Sequence, residues 1–303
     1  MCIDQTSIRE RNHQVGLIEH IFRGAEETFC WLGTDPTNGV CLKTIHQVVA
    51  RFRQVSVDLN NSNHGMQESD REAIKEAVLK LYDSFDNEQL SSIDHVRHNT
   101  YWTRHWVVQE IALSRQRYIV FGHTALPWDQ LFDFYHEDEM QALGPHTGRF
   151  APHVLVALGQ LSEVTNEALL WTVCMGLATE TSCSDVRDKV YAIQGLFPPE
   201  HRISVDYSLS ARRVLINSLC KFEEIYSQPI LQWFLCACRS LAQGMGFSAG
   251  LDAWSEVVKE YLLTKDTRTE FQNKVMFGLL AEMQFSSELP RYMPIVIRSN
   301  SCL

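Results

Sequence analysis

The sequence predicts an α/β first half, with a short parallel sheet flanked by helices, followed by a mainly α-helical second half. Three observations predict it. Up to residue 121, short apolar runs alternate with segments of helical period, the pattern of parallel strands joined by helical crossovers. Beyond residue 150 the apolar residues recur at helical spacing with one short extended interruption. Finally, 303 residues, 45% hydrophobic and 21% charged, supply a core for one large or two ordinary domains.

In order, Cys2, Ile3 and Asp4 read as the end of a strand, and since only Met1 precedes them the fold is expected to be short of that strand. Ser7 and Glu10 have the spacing of a capping box. They open a helix in which Val15, Ile18, Ile21 and Phe22 recur until Gly24 stops it. Residues 28–32, TFCWL, form a short strand, the TDPTNG cluster after Gly33 is a loop, and Leu42, Ile45, Val48, Val49 and Phe52 pattern as a helix. Residues 60–69 are a polar, turn-rich insertion expected to be mobile, followed by a charged helix over 70–85. Residues 117–121, RYIVF, form a strand, after which HTALPW is a turn with Pro127 placed for the first turn of a helix. An acidic run and GPHTGRF set a boundary near residues 138–150, giving an α/β domain over 1–140 and a helical region over 141–303. Helices are expected there at 154–161, 168–177, 186–195, 211–226 and 230–241, with an extended piece at 203–207.

Charge and cysteine content exclude several classes of function. A net charge of -10 argues against a nucleic-acid surface, which needs clustered Lys and Arg. The nine cysteines are odd in number and scattered, which suits reduced thiols in a cytoplasmic protein. Cys236 and Cys238 read as core residues rather than a redox pair. No stretch is apolar for long enough to span a membrane. A phosphate loop, a nucleophile elbow and a paired-Cys zinc pattern are all missing from the sequence. His95 and His98 are at helical spacing without an assignable carboxylate or Cys partner, so no metal site is expected.

The stretch 101–114, YWTRHWVVQEIALS, poses the main functional question. Read as one helix, it puts Trp102, Trp106, Glu110 and Leu113 on one face and apolar residues around most of the rest, so it is expected to be buried. A buried carboxylate costs several kcal/mol unless it is paired or kept neutral. Glu110 therefore has either a structural partner, an Arg or backbone amides, or a catalytic task. Trp31, Trp102 and Trp106 default to the core. Asp4 and Gln5 lie where a strand's carboxyl end meets a helix, the usual ligand crevice of an open α/β sheet, and are candidates to line a pocket with Trp106; otherwise they anchor the loop. Arg187, Asp188 and Tyr191 are expected to tie the helical half to the first half rather than to contact a ligand.

CIDQ, ERNHQV, AEETFCWLG, YWTRHWVVQE, GHTALPW, DVRDKVYAIQGL and ISVDYS, in that order over residues 2–208, resemble the fungal heterokaryon incompatibility (HET) domain proteins. LPRYMP from Leu289 echoes a Pro, aromatic, Pro element found after that domain. The Tyr-x-Trp-Gly strand that usually opens the domain, and the aromatic-Ile-Asp lead into CIDQ, are not present, so the chain resembles an N-terminally truncated member. The resemblance implies a cytoplasmic self/non-self recognition and cell-death signalling module that works through protein partners or self-association. It extends remotely to TIR domains, implying a flavodoxin-like strand and helix order. In some TIR members a glutamate at Trp-x-x-x-Glu spacing cleaves NAD, and Trp106 and Glu110 share that spacing. Such a glutamate would engage the ribose and stabilise positive charge at the anomeric carbon, as a carboxylate does in glycoside hydrolysis. No cofactor is expected, NAD entering only as a substrate of that alternative; a third alternative is an inactive fragment or interaction scaffold.

Overall fold

A computed structural model describes residues 4–60, 67–136, 154, 157–158, 161, 167–225, 231–247, 256–257 and 259–261. The proposed strand end at residues 2–4 lies outside these except for Asp4, which is in no strand. Most of the 60–69 insertion, the boundary at 138–150 and the LPRYMP element also lie outside them.

Helix α1 (Ile8–Gly24) begins as its sequence dictates: the Ser7 side chain accepts from the Glu10 N–H at 3.3 Å. Glu10 does not return the bond to Ser7 but accepts from the Asp4 N–H at 3.2 Å. Strand β1 (Glu27–Trp31) and helix α2 (Val40–Asn60) follow, then α3 (Glu68–Asp83) and α4 (Asn87–Arg97). A full capping box, Asp86 with Gln89, opens α4.

The stretch 101–114 is not one helix. A 3-10 turn (Thr100–Thr103) ends at Arg104, which is extended, and α5 (Val107–Leu113) starts afresh. The break is made by a remote partner. His105 N–H donates to Ser182 O at 2.9 Å and Ser182 N–H to Thr103 O at 2.5 Å, bonds that a continuous helix would have spent internally. Trp102 therefore does not share a helical face with Trp106 and Glu110.

Strand β2 (Gln116–Phe121) pairs parallel with β1, as expected, but the HTALPW segment is not a turn. After Gly122 and His123 the chain folds back as β3 (Thr124–Pro127), antiparallel to β2, and α6 (Trp128–His136) starts directly after Pro127. The sheet is mixed, ordered β1-β2-β3, not parallel throughout. Gly122 has φ +60, and a Cβ there would meet the Asp35 Cβ at 2.8 Å, so the hairpin requires glycine.

Register and burial agree that the sheet is covered on one face. Cys30, Ile119, Phe121 and Leu126 are buried, and Ser114 Oγ donates to the Thr28 hydroxyl at 2.8 Å on the same side. On the other face Phe29 is 58% and Trp31 65% exposed, so Trp31 is not a core residue. Strand alternation decides this, because odd positions of β1 face away from the layer that buries Cys30. Trp102 is buried and donates its indole N–H to Val96 O at 2.6 Å.

The second half is helical: α7 (Glu167–Glu180), the short α8 (Asp188–Tyr191), α9 (Ala211–Ile225) and α10 (Leu231–Gly244). The helix expected over 186–195 is reduced to α8 and a 3-10 turn (Gln194–Leu196). Trp171 stacks on Phe197 with centroids 3.6 Å apart and abuts Phe222, placing a second aromatic centre between α7 and α9.

Candidate functional site

Helix α1 fully buries none of its residues; Val15 packs against the core, and polar tethers hold the helix as well. Arg11 pairs with Asp185 at 2.9 Å and lies 3.7 Å over the Tyr207 ring. The Asn12 side chain accepts from the Tyr207 N–H at 2.8 Å, Arg202 forks onto Glu19, and Arg23 donates to Gly195 O at 2.9 Å. Gly195 sits where α1, α5 and the 194–196 turn meet; a Cβ there would lie 2.1 Å from Gln109 Nε2. ERNHQV thus docks onto DVRDKVY and ISVDYS, across the boundary expected near residues 138–150.

Asp188 is the centre of this junction. Buried at the start of α8, its carboxylate accepts from the Trp106 indole N–H at 3.2 Å and, by a short bond, from the Tyr207 hydroxyl. Burial pushes its pKa up against the pull of those two donors. Asp185, on the wet side, is held well below the usual carboxylate range by its bonds to Arg187 and then Arg11. Arg187 also donates to Tyr207 O at 2.5 Å and Leu209 O at 2.8 Å, and Tyr191 donates to Asp206 O at 3.0 Å. Of the three residues singled out in RDKVY, Asp188 reaches the first half through Trp106, whereas these bonds of Arg187 and Tyr191 join segments within the second half.

His105 and Lys189 were not singled out, and both are buried here. Lys189 Nζ donates to Ala178 O at 2.8 Å and, at shorter range, to Thr181 O, closing the carboxyl end of α7 as a cationic cap. His105 Nε2 lies 3.0 Å from Lys189 O and Nδ1 2.7 Å from the Thr181 hydroxyl. Burial, with the Lys189 charge, pushes its pKa down to about 3, so the ring is neutral. A carbonyl only accepts, so in the neutral ring Nε2 carries the proton; the Thr181 hydroxyl beside Nδ1 has one proton and is also within 2.6 Å of Leu177 O.

Glu110 is one helical turn beyond Trp106, partly buried, and its Oε1 accepts from the Tyr101 hydroxyl at 2.7 Å. Among the described residues no salt bridge reaches it; Arg104 acts only through its charge. Burial raises the Glu110 pKa above 4.5, opposed by the Tyr101 bond and then by Arg104. The neighbouring Cys30 thiol is pushed up to about 12 by burial and is inert as a nucleophile at neutral pH. The structure thus gives Glu110 a hydroxyl partner in place of the expected Arg or amides.

Asp4 and Gln5 stand apart, exposed in the turn before α1. Asp4 Oδ1 accepts from the Thr6 N–H at 2.8 Å and hydroxyl at 2.6 Å, a loop-anchoring arrangement. A cleft does lie at the carboxyl ends of β1 and β2, but Thr34, Pro36, His95, His98 and Phe121 line it, not Asp4, Gln5 or Glu110. Among the described residues no group of three or more His, Cys, Asp or Glu is placed to hold a metal ion. None of their helices is long and apolar enough to cross a membrane.

The family model that matches covers residues 1–110 and is described as heterokaryon incompatibility protein (HET). The comparisons with curated proteins and with solved structures found no match.

Proposed function

We propose that this chain, a protein carrying a heterokaryon incompatibility (HET) domain, is a fungal self/non-self recognition and cell-death signalling module. The family match over residues 1–110 carries this reading. The junction supports it, because the matched residues Arg11, Asn12 and Trp106 bond to Asp185, Tyr207 and Asp188 and so tie the matched segment to the rest of the chain. On this reading the module acts in the cytoplasm through protein partners or self-association. Expression of the full chain in a fungal cell is expected to arrest growth. Trp106→Ala is expected to release the arrest, because it deletes the partly buried indole and its bond to Asp188, leaving that buried carboxylate one donor short. Normal growth with a folded, abundant wild type contradicts the proposal.

One observation favours a second reading, TIR-like NAD cleavage. Among the described residues Glu110 makes no salt bridge; it lies one turn from Trp106 with a raised pKa, and perturbed carboxylates collect at functional sites. It predicts nicotinamide release from NAD that Glu110→Gln abolishes while the fold is kept.

A further inference from the structure

We propose that the Asn38–Gly39 step is a modification site, which converts to isoaspartate when the loop of residues 33–39 opens and which Asp35 protects while the loop is closed.

Asn38–Gly39 is the one Asn-Gly step in the sequence. Glycine carries no side chain to screen its own amide nitrogen, so here that nitrogen can reach the preceding side chain most readily. In the reaction the Gly39 nitrogen attacks Asn38 Cγ, gives its proton to solvent and expels ammonia. Water then opens the resulting five-membered imide at either carbonyl. One opening leaves aspartate; the other leaves isoaspartate, with one more carbon in the main chain. Water is the only co-reactant, and the Asn38 side chain is exposed to it.

The closed loop opposes the attack in three ways. Asn38 has φ +50, where the allowed backbone has ψ of about +30 to +60°. That puts the Gly39 nitrogen and the Asn38 side chain on opposite sides of the Cα–C bond, whereas ring closure needs them eclipsed. Secondly, the Gly39 N–H donates to Asp35 Oδ2 at 2.6 Å, and a carboxylate there disfavours the negative charge that the nitrogen must gain in order to attack. Thirdly, the loop is clamped. Asp35 is buried, and its Oδ1 accepts from the Thr37 N–H at 2.7 Å and hydroxyl at 2.6 Å. Gly122 N–H donates to Gly33 O at 2.9 Å, and a Cβ on Gly39 would lie 2.5 Å from Thr124 Oγ1, so the β2–β3 hairpin closes over the loop. Conversion therefore waits on a local opening that breaks these contacts together. A main chain lengthened at residue 38 cannot return Gly39 to both Asp35 and Thr124, and α2 begins at the next residue, Val40. Isoaspartate thus unseats the start of α2.

Peptide mapping by mass spectrometry tests this on the full chain, held at neutral pH in native buffer, in urea below the unfolding transition and in full denaturant. Conversion at Asn38 should be about tenfold or more slower in native buffer than in denaturant. In sub-denaturing urea it should rise in step with hydrogen exchange of the Gly39 amide in the same wild-type samples. Asp35→Asn keeps an acceptor without the charge and Asp35→Ala keeps neither, so conversion should increase in that order in variants whose melts show them folded. If these variants do not fold, the urea comparison on the wild type decides alone. The isoaspartate fraction should melt below Asn38→Asp, which keeps the original chain length. Equal conversion in native buffer and denaturant, no conversion at Asn38 in denaturant, or a rate indifferent to Gly39 exchange overturns the proposal. So does a folded Asp35→Ala that converts no faster than wild type, or an isoaspartate fraction that melts with Asn38→Asp.

Discussion

Replacing Glu110 by Gln separates two kinds of buried acid. A carboxylate in a buried ion pair leaves its partner uncompensated when neutralised, costing about 3–5 kcal/mol. Among the described residues Glu110 has no such partner, and the Tyr101 hydroxyl donates to it at 2.7 Å. A bond to a charged acceptor contributes about 1.5–3 kcal/mol and its neutral counterpart about 0.5–1.5, so the amide loses roughly 1 kcal/mol there. Against this, Gln escapes the desolvation that raises the Glu110 pKa. The two changes offset, and the melting temperature at neutral pH should move by no more than about 2–4 °C. The pH dependence carries the sign. With the folded pKa above 4.5, the folded protein binds more protons than the unfolded chain between those values, so wild-type stability falls as pH rises through that window. The variant should therefore gain on wild type as pH rises from 4.5 through the raised pKa, measured by thermal melts from acid to neutral pH. A drop of about 10 °C or more at pH 7, or a gap independent of pH, refutes the reasoning.

Asp188→Ala strands the Trp106 and Tyr207 donors and should cost about 2–4 kcal/mol in chemical denaturation. Combined with Trp106→Phe it should show coupling of about 0.5–3 kcal/mol, and strict additivity would contradict the shared bond. Lys189→Met removes the cap from Ala178 O and Thr181 O and should lower stability by about 2–3 kcal/mol, with amide exchange near 181–182 accelerated first. Gly122→Ala forces a Cβ against Asp35 at positive φ, so a loss of about 1–3 kcal/mol is expected in the same denaturation assay.

What could be read from the sequence follows how local each determinant is. Ser7, Gly24 and the apolar run at Cys30 act on their own neighbours, and α1 and β1 were legible from them. The Asp86 and Gln89 capping box is equally local, but it follows the end of the charged helix expected over 70–85, in a stretch to which no element was assigned. Strand β3 was hidden because Gly122 and Pro127, five positions apart, look like one turn when in fact a short strand ends at Pro127. The break at Arg104 could not be read from periodicity, since its cause is Ser182. Trp31 was assigned to the core by residue type, while its face was decided by which side of the sheet the helices cover. At the site, Trp106 and Glu110 were found from an acid in an apolar run, and Asp188 from its motif. His105 and Lys189 looked ordinary because their partners are backbone carbonyls that carry no sequence signature.

Growth of a fungal cell expressing the full chain, compared between wild type and Glu110→Gln at matched protein levels, tests the central claim that the domain signals through its surface. Equal arrest by both is the predicted result. A folded wild type that leaves growth normal, or an arrest that Glu110→Gln releases while its melt is unchanged, contradicts it.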